Sequence, residues 1–324
     1  MKQKIFIILI VMLAVIALSG CSKKSKTEDG KLSIVTTIFP PYDFAKEIAG
    51  GNANITMLLP PGSEIHSFEP TPKDVIKIKN SNIFIYVGGE SDAWVDKILS
   101  TMDTSKMKII ALMKLVKVVE EEIVEGMQDD VEEDHDHSHG HDKNDKDKPE
   151  YDEHIWTSPK NAKLIVQKIS DTLCEIDSAN ANLFKKNTEA YLVKLDELDA
   201  KFQDTVKNGV RNTIVFGDRF PFRYFADAYK LRYFAAFPGC STETDANPAT
   251  VKFLIDKIRA EKIPVVFHVE LSNQKMAATI SEATGAKVRL LHAAHNITKA
   301  DFKSGRGYLD IMTKNVSALK EALE

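Results

Sequence analysis

The chain has few cysteines, no large excess of either charge, and no apolar run long enough to span a membrane. Its 43 basic and 47 acidic residues nearly balance, for a net charge of −4 over 324 residues. Nucleic-acid-binding domains are usually strongly basic, so no nucleic-acid partner is expected. The sequence also lacks the His-Glu-x-x-His, Gly-x-Ser-x-Gly and Walker motifs of common hydrolases and nucleotide-binding enzymes. We therefore expect a protein that is not an enzyme.

The N-terminus has the pattern of an export signal. Lysines in the first four residues precede the apolar run Ile5–Leu18, which leads into Leu-Ser-Gly-Cys ending at Cys21. A membrane span needs about 20 apolar residues, whereas a signal-peptide core is shorter. The Cys21 motif resembles a bacterial lipobox, in which the cysteine becomes the lipid-modified first residue; an uncleaved anchor is the alternative. We interpret 1–21 as a lipoprotein signal and the polar stretch 22–30 as a tether.

Two cysteines remain if Cys21 carries lipid, namely Cys174 and Cys240. Outside the cytosol a disulfide between them is permitted. The sequence does not supply the geometry that a bridge requires, so the pairing stays open.

Strand-like and helix-like segments alternate in two separate halves of the chain. This alternation predicts parallel sheets with helices on their faces, in an α/β fold of two lobes. We place the first lobe at 31–177 and the second at 209–324. The predicted strands are Lys31–Phe39, Ile55–Leu59, Asn82–Val87, Lys108–Leu112, Thr213–Phe216, Arg232–Phe237, Val265–Val269 and Val288–Leu291.

A single long helix is predicted between the halves, over Asn180–Lys207. Neither glycine nor proline interrupts it, and charged residues occupy the other faces. At 1.5 Å per residue it is about 40 Å long, which favours a stiff link between lobes, assigned here to 178–208. Its apolar stripe consists of Phe184, Tyr191, Leu192, Leu195, Leu198 and Phe202.

An acidic, histidine-rich stretch interrupts the first lobe at 118–152. It has too few apolar residues to bury a core, so the composition predicts a long, mostly disordered loop. Within it, histidine recurs at every second position of Asp134–Asp142, where alternate imidazoles lie within about 7 Å along an extended chain. We interpret these four residues as an auxiliary metal-collecting segment, with a plain solvated linker as the alternative. They are His135, His137, His139 and His141.

Four further histidines fall where an α/β protein places a ligand site. His66 follows a predicted strand, His292 and His295 follow another, and His154 precedes a helix. Ligands of open α/β sheets bind beyond the carboxyl ends of the strands, so a shared ligand would lie between the lobes. Neutral imidazoles suit Zn²⁺. His268 differs, because it lies inside an apolar strand and is expected to be a hydrogen-bonded core residue.

Several segments together resemble one family of proteins. They are the Cys21 motif, Thr-Thr-Ile-Phe-Pro-Pro-Tyr-Asp-Phe, Met-Leu-Leu-Pro-Pro-Gly-Ser-Glu-Ile-His-Ser-Phe-Glu-Pro, and Asp-Glu-His-Ile-Trp-Thr-Ser-Pro. They are similar to the zinc-type, metal-binding solute-binding lipoproteins of bacterial ABC importers, over about residues 31–324. The resemblance implies two similar α/β lobes bridged by one rigid helix, with the metal in the interlobe cleft.

The resemblance also implies four metal ligands, two from each lobe. His66 and His154 match the first two ligand positions, and the fourth falls on His292. The third position falls on Gly217, where the family has histidine or glutamate, so this chain departs from the pattern.

Three side chains or a water molecule could fill the position that Gly217 leaves vacant. His295 is the first candidate, followed by Asp218 and then Glu270. An open zinc shell of three protein ligands and one water is also compatible with an ion that must be released.

The expected function is therefore high-affinity capture of Zn²⁺ as cargo, with delivery to an ABC permease and its ATPase. The resemblance implies a monomer that Cys21 anchors in lipid on the outer face of the cytoplasmic membrane or in a periplasm. Manganese or iron is the alternative cargo, since these ions favour carboxylate oxygens. A surface adhesin active in cell adhesion and a zinc hydrolase are further alternatives.

Overall fold

The structure is a computed structural model that describes most of the chain beyond the N-terminal signal. The predicted signal 1–21, Cys21, His66 and the histidines of 135–141 lie outside the described residues. The described ranges are 30–65, 68–127, 150–241 and 247–324.

Two four-stranded sheets form the two lobes. In each sheet all strands are parallel, in the orders β2-β1-β3-β4 and β6-β5-β7-β8. The second order is the first one shifted by four strands, so the two lobes share one topology. The strands are β1 Leu32–Thr36, β2 Ala53–Met57, β3 Ile83–Tyr86, β4 Lys108–Ala111, β5 Thr213–Phe220, β6 Arg232–Pro238, β7 Val265–His268 and β8 Lys287–Leu290.

Helices cover the faces of both sheets, and two short 3₁₀ turns occur at Leu112–Leu115 and Ile155–Thr157. The helices are α1 Phe39–Ala49, α2 Pro72–Lys79, α3 Ala93–Leu99, α4 Pro159–Ile176, α5 Ala181–Asn208, α6 Arg223–Tyr229, α7 Pro248–Glu261, α8 Lys275–Thr284, α9 Lys299–Ser304 and α10 Tyr308–Leu323. Within the described part of the chain, no helix combines the length and the apolar character that crossing a membrane requires.

Helix α1 begins earlier than the sequence predicted. The strand prediction ran to Phe39 and took Pro40 and Pro41 as a break, but the helix starts at Phe39 and contains both prolines in its first turn. Proline is tolerated there because the first-turn N–H groups have no partner inside a helix.

Helix α5 is the predicted long helix, and it packs against both lobes. One face is buried along most of its 28 residues. The Tyr191 ring lies 6.0 Å from that of Phe44 in the first lobe, and the Phe202 ring lies 4.8 Å from that of Phe225 in the second. The buried core is accordingly continuous from one lobe to the other.

The predicted disordered stretch 118–152 is ordered at both ends. Glu121 N donates to the Glu150 carbonyl at 2.9 Å, so the two ends lie side by side. The first end also reaches the second lobe, where Glu122 forms an ion pair with Arg223 at 3.2 Å and Gly126 lies against the Phe253 ring. The prediction of one disordered loop was therefore wrong for 118–127 and 150–152, because these ends gain contacts from a distant lobe.

The N-terminus of α10 is held by a carboxylate from the first lobe. Tyr308 N donates to Asp43 Oδ2 at 2.7 Å, and Asp43 is buried. This bond satisfies one of the N–H groups that a helix start leaves unpaired, and it joins α1 to the last helix. Burial raises the pKa of Asp43 to about 6, with a further rise from Glu47, although the bond from Tyr308 N opposes the shift.

We predict that Asp43→Asn flattens the pH dependence of stability. The folded-state pKa lies above the usual 3.8, so the contribution of Asp43 to stability is greatest at low pH and is lost as the pH rises through about 6. Relative to wild type, Asp43→Asn should gain up to about 3 kcal/mol in unfolding free energy from pH 4 to pH 7. Urea unfolding at both pH values measures this difference; parallel pH profiles for the two proteins would contradict it.

Candidate metal centre

A pocket lies between the lobes at the carboxyl ends of their strands. The first lobe contributes the loop Pro60–Ile65 after β2, and the second contributes Arg219, Glu270 and His295. This is the position at which open α/β sheets bind ligands. We call Pro60–Ile65 the first-lobe loop, and residues 291–297 after β8 the histidine loop.

His154 is fully buried beside this pocket, just before the 3₁₀ turn that leads into α4. Asp152 Oδ1 accepts from His154 N at 2.7 Å and lies 3.1 Å from the ring Nδ1. A carboxylate facing Nδ1 favours a proton on that nitrogen, which leaves Nε2 to present its lone pair. His154 Nε2 is buried and has no hydrogen-bond partner among the described residues. A buried polar atom without a partner is costly, so this nitrogen is suited to a ligand.

The surroundings of His154 are negatively charged. Burial alone lowers the pKa of the imidazole, but the carboxylates of Asp152, Glu153 and Glu121 outweigh burial and raise that pKa. A site that favours a proton on imidazole favours a metal cation for the same electrostatic reason.

His295 reaches His154 from the opposite lobe. The two ring centroids are 4.3 Å apart, with the rings 72° from coplanar, and the His295 ring lies 5.0 Å from that of Trp156. The structure therefore brings together two of the predicted metal ligands, one from each side of the cleft.

Glu270 fixes the backbone of the histidine loop. Its two carboxylate oxygens accept from Ala293 N at 2.7 Å and from His295 N at 2.9 Å. It also lines the pocket, so it lies within the candidate site while its oxygens already fix the backbone on both sides of Ala294. The lone pairs left on each oxygen could still face a cation.

His292 is oriented differently from His295. Its Nδ1 accepts from Ala294 N at 3.0 Å and lies 3.4 Å from Glu270 Oε2, while Asn315 bonds to its backbone on both sides. A neutral imidazole that accepts through Nδ1 carries its proton on Nε2. In this arrangement neither ring nitrogen of His292 offers a free lone pair, so ligation would require the Ala294 bond to break.

Gly217 and Asp218 lie within β5, and each has contacts inside the second lobe. Asp218 accepts from Val269 N at 3.1 Å and from Arg219 N at 2.8 Å, and so links β5 to the segment after β7. A Cβ on Gly217 would lie 2.7 Å from Ala277 Cα in α8. A side chain at 217 would therefore point at that helix, and the expectation of a vacant ligand position there is corrected.

Arg219 and Glu64 form a bond across the cleft that sequence reasoning missed. Arg219 Nη2 lies 3.2 Å from Glu64 Oε2, and its Nη1 also donates to the Ser241 carbonyl at 3.3 Å. The pair neutralises a guanidinium at the pocket that would otherwise repel cations. Arg219 directly follows Asp218 on β5, but its partner comes from a loop 155 residues earlier.

The remaining sequence expectations concern His268 and the two cysteines. His268 is buried, and its Nδ1 lies 2.9 Å from the Val269 carbonyl, as predicted for a hydrogen-bonded core histidine. Cys174 and Cys240 are both free thiols.

Within the described ranges, which leave out His66, no three histidine, cysteine, aspartate or glutamate side chains are grouped closely enough to hold a metal ion. The described part of the centre thus consists of the His154–His295 pair and of Glu270, which bonds to the backbone of His295. His66 remains a ligand predicted from the sequence alone.

The fold and its cleft define a two-lobed solute-binding protein, and comparison with known proteins agrees. The chain shares a TM-score of 0.73 and 30% identity with the crystal structure of the Zn(II)-bound ZnuA-like domain of Streptococcus pneumoniae AdcA, covering 91% of this chain and 99% of that one. The model of the family "Zinc-uptake complex component A periplasmic", ZnuA, matches residues 34–322. The chain belongs to this family.

Two curated relatives are similar over nearly the whole chain. The zinc-binding lipoprotein AdcA of Streptococcus pneumoniae (strain ATCC BAA-255 / R6) is 33% identical over 320 residues, which is 98% of this chain and 60% of that protein. The high-affinity zinc uptake system protein ZnuA of Bacillus subtilis (strain 168) is 30% identical over 321 residues, covering 98% and 97%. The chain thus spans about three fifths of the length of the streptococcal relative.

We predict that Gly217→His adds no metal ligand and instead destabilises the protein. The new side chain would meet the α8 backbone at Ala277, and overpacking a core contact of this kind costs about 1–3 kcal/mol. Thermal unfolding should show a lower Tm, and zinc titration of the folded variant should show unchanged or weaker binding. Tighter zinc binding in this variant would restore Gly217 as the missing ligand position.

Proposed function

We propose that the protein captures Zn²⁺ in the interlobe cleft and delivers it to an ABC import permease and its ATPase. The observation that carries this proposal is the buried, unpartnered Nε2 of His154 beside the His295 ring from the other lobe. The zinc-uptake name of the family and the names of both relatives support the same cargo.

The donor set favours zinc over the alternative cargoes. Two imidazoles at the pocket, with His66 as a third from the sequence, are borderline ligands that suit Zn²⁺, whereas manganese prefers carboxylate oxygen. Glu270 is the carboxylate that bonds to the backbone N–H of His295, and both its oxygens already accept backbone N–H groups. His66, His154 and His295 are therefore the principal proposed ligands, with Glu270 and His292 as further ones. Asp218 has a weaker case, because its carboxylate links β5 to the segment after β7 and it is not among the residues that line the pocket.

Capture and release require no bond chemistry from this chain. In the proposed cycle the ion becomes the partner that His154 Nε2 lacks. The Glu64–Arg219 pair joins the two sides of the cleft, and docking on the permease allows the ion to be released. The protein acts as the extracytoplasmic binding component of a transport system, and it is proposed to be a monomer anchored by lipid at Cys21.

The lobe bounds 31–177 and 209–324, with the linker 178–208, are kept as proposals. Host-surface adhesion and zinc hydrolysis remain alternatives from the sequence.

The direct test is a competitive titration of the purified protein with zinc and manganese, using wild type, His154→Ala and His295→Ala. Wild type should bind zinc in the nanomolar range or tighter and manganese far more weakly. Each substitution removes one imidazole, so zinc affinity should fall at least about 100-fold. Tight zinc binding that survives both substitutions would place the site elsewhere.

The matched control is His268→Asn. This variant removes a buried imidazole of the second lobe but keeps a side-chain donor that can reach the Val269 carbonyl. Its zinc affinity should stay within about threefold of wild type, even if its Tm falls. A loss as large as that of His295→Ala would mean that the assay reports folding and not ligation.

The histidine-rich segment is proposed, from the sequence alone, to collect zinc near the cleft. Deletion of residues 134–142 should preserve the tightest zinc site and remove weaker sites from the binding stoichiometry, since imidazoles on a chain that must be ordered bind more weakly. Titration to saturation with equilibrium dialysis measures both classes. Loss of the tight site in the deletion variant would contradict the separation of the two roles.

A further inference from the structure

The histidine loop of the second lobe is docked on the first lobe through its backbone. Trp156 Nε1 donates to the Ala293 carbonyl at 2.7 Å, and Phe39 N donates to the His295 carbonyl at 3.4 Å. Gly62 N donates to the Ile297 carbonyl at 2.8 Å. The first lobe therefore binds the carbonyl groups of the histidine loop, while Glu270 of the second lobe binds its N–H groups.

Asn296 adds two side-chain hydrogen bonds to this docking. Its Nδ2 donates to two carbonyls of the first-lobe loop, Pro60 O at 2.8 Å and Ser63 O at 2.7 Å. Its Oδ1 accepts from Ile297 N at 2.8 Å, and the residue is buried, with 1% of its surface exposed. All the hydrogen-bonding groups of the carboxamide lie within bonding distance of backbone, so the residue is locked in place.

The position of Asn296 connects these hydrogen bonds to the candidate metal centre. It is the residue after His295, whose ring lies 4.3 Å from that of His154. The first-lobe loop that it holds also carries Glu64, the partner of Arg219 across the pocket. Moving the carboxamide would therefore shift one imidazole of the pair and one wall of the pocket together.

We propose that Asn296 is a positioning residue for the metal site. It holds the histidine loop against the first-lobe loop, keeps the His295 ring beside His154, and thereby slows the release of zinc. This inference rests on the proposed function of zinc capture. It assigns Asn296 no direct contact with the ion, because both its N–H groups and its oxygen already bond to the protein.

The test compares the zinc Kd and zinc dissociation rate of wild type and Asn296→Ala. Both are measured by competition against a chromophoric chelator on the full chain. The variant retains the docking bonds of Trp156, Phe39 and Gly62, so it should fold. Loss of two buried hydrogen bonds that hold the loop should raise the zinc Kd about tenfold, mostly through faster dissociation.

Asn82→Ala is the control for a purely structural effect. Asn82 is also buried, and its Oδ1 accepts from Ser33 N at 2.8 Å, but it lies at the amino ends of β1 and β3, whereas the pocket lies at the carboxyl ends of the strands. Its substitution should lower Tm while leaving the zinc Kd within twofold of wild type. Equal effects of Asn82→Ala and Asn296→Ala on zinc Kd would overturn the proposal.

A double-mutant cycle with His295→Ala tests the route through His295. If Asn296 acts by holding that imidazole, Asn296→Ala should change zinc Kd less than twofold once the imidazole is gone, because coupled residues are not additive. A tenfold effect that persists in the His295→Ala background would contradict positioning through His295. If wild type binds zinc tightly and Asn296→Ala leaves the zinc Kd unchanged, this inference is refuted but the proposed function is not. If wild type itself binds zinc weakly, the proposed function is refuted.

Discussion

The proposed metal centre depends on the docking of the histidine loop against the first lobe. Residues 291–297 leave β8 in the second lobe, yet Trp156, Phe39 and Gly62 of the first lobe donate to their carbonyls. Trp156 and Phe39 are buried, and leaving their N–H groups without partners would cost free energy, so the docked arrangement is preferred. The His154–His295 pair is a consequence of that docking.

Two carboxylates perform parallel tasks on the two sides of the cleft. Asp152 bonds to the backbone of His154 and faces its Nδ1, whereas Glu270 bonds to the backbone of His295 and Ala293. Each carboxylate fixes a loop and adds negative potential behind an imidazole. A centre built in this way can bind a divalent cation with few charged ligands, which suits an ion that must later be released.

Regular patterns in the sequence predicted most of the fold, and the docking of distant loops could not be predicted from them. Alternating apolar segments located both sheets, and the uninterrupted stripe located α5 to within a residue at each end. The ends of the 118–152 stretch were missed, because their order comes from second-lobe partners such as Arg223. In the candidate site, a strand end pointed to His295 and a helix start pointed to His154. Asn296 was missed, because its partner Pro60 lies 236 residues away and no local pattern marks it.

The most direct test of the central claim is the anomalous diffraction signal of zinc in crystals of the zinc-loaded protein. The account predicts one strong peak in the interlobe cleft, about 2.0–2.1 Å from His154 Nε2 and from an imidazole nitrogen of His295. A strong peak elsewhere, with His154 Nε2 still without a ligand, would contradict it.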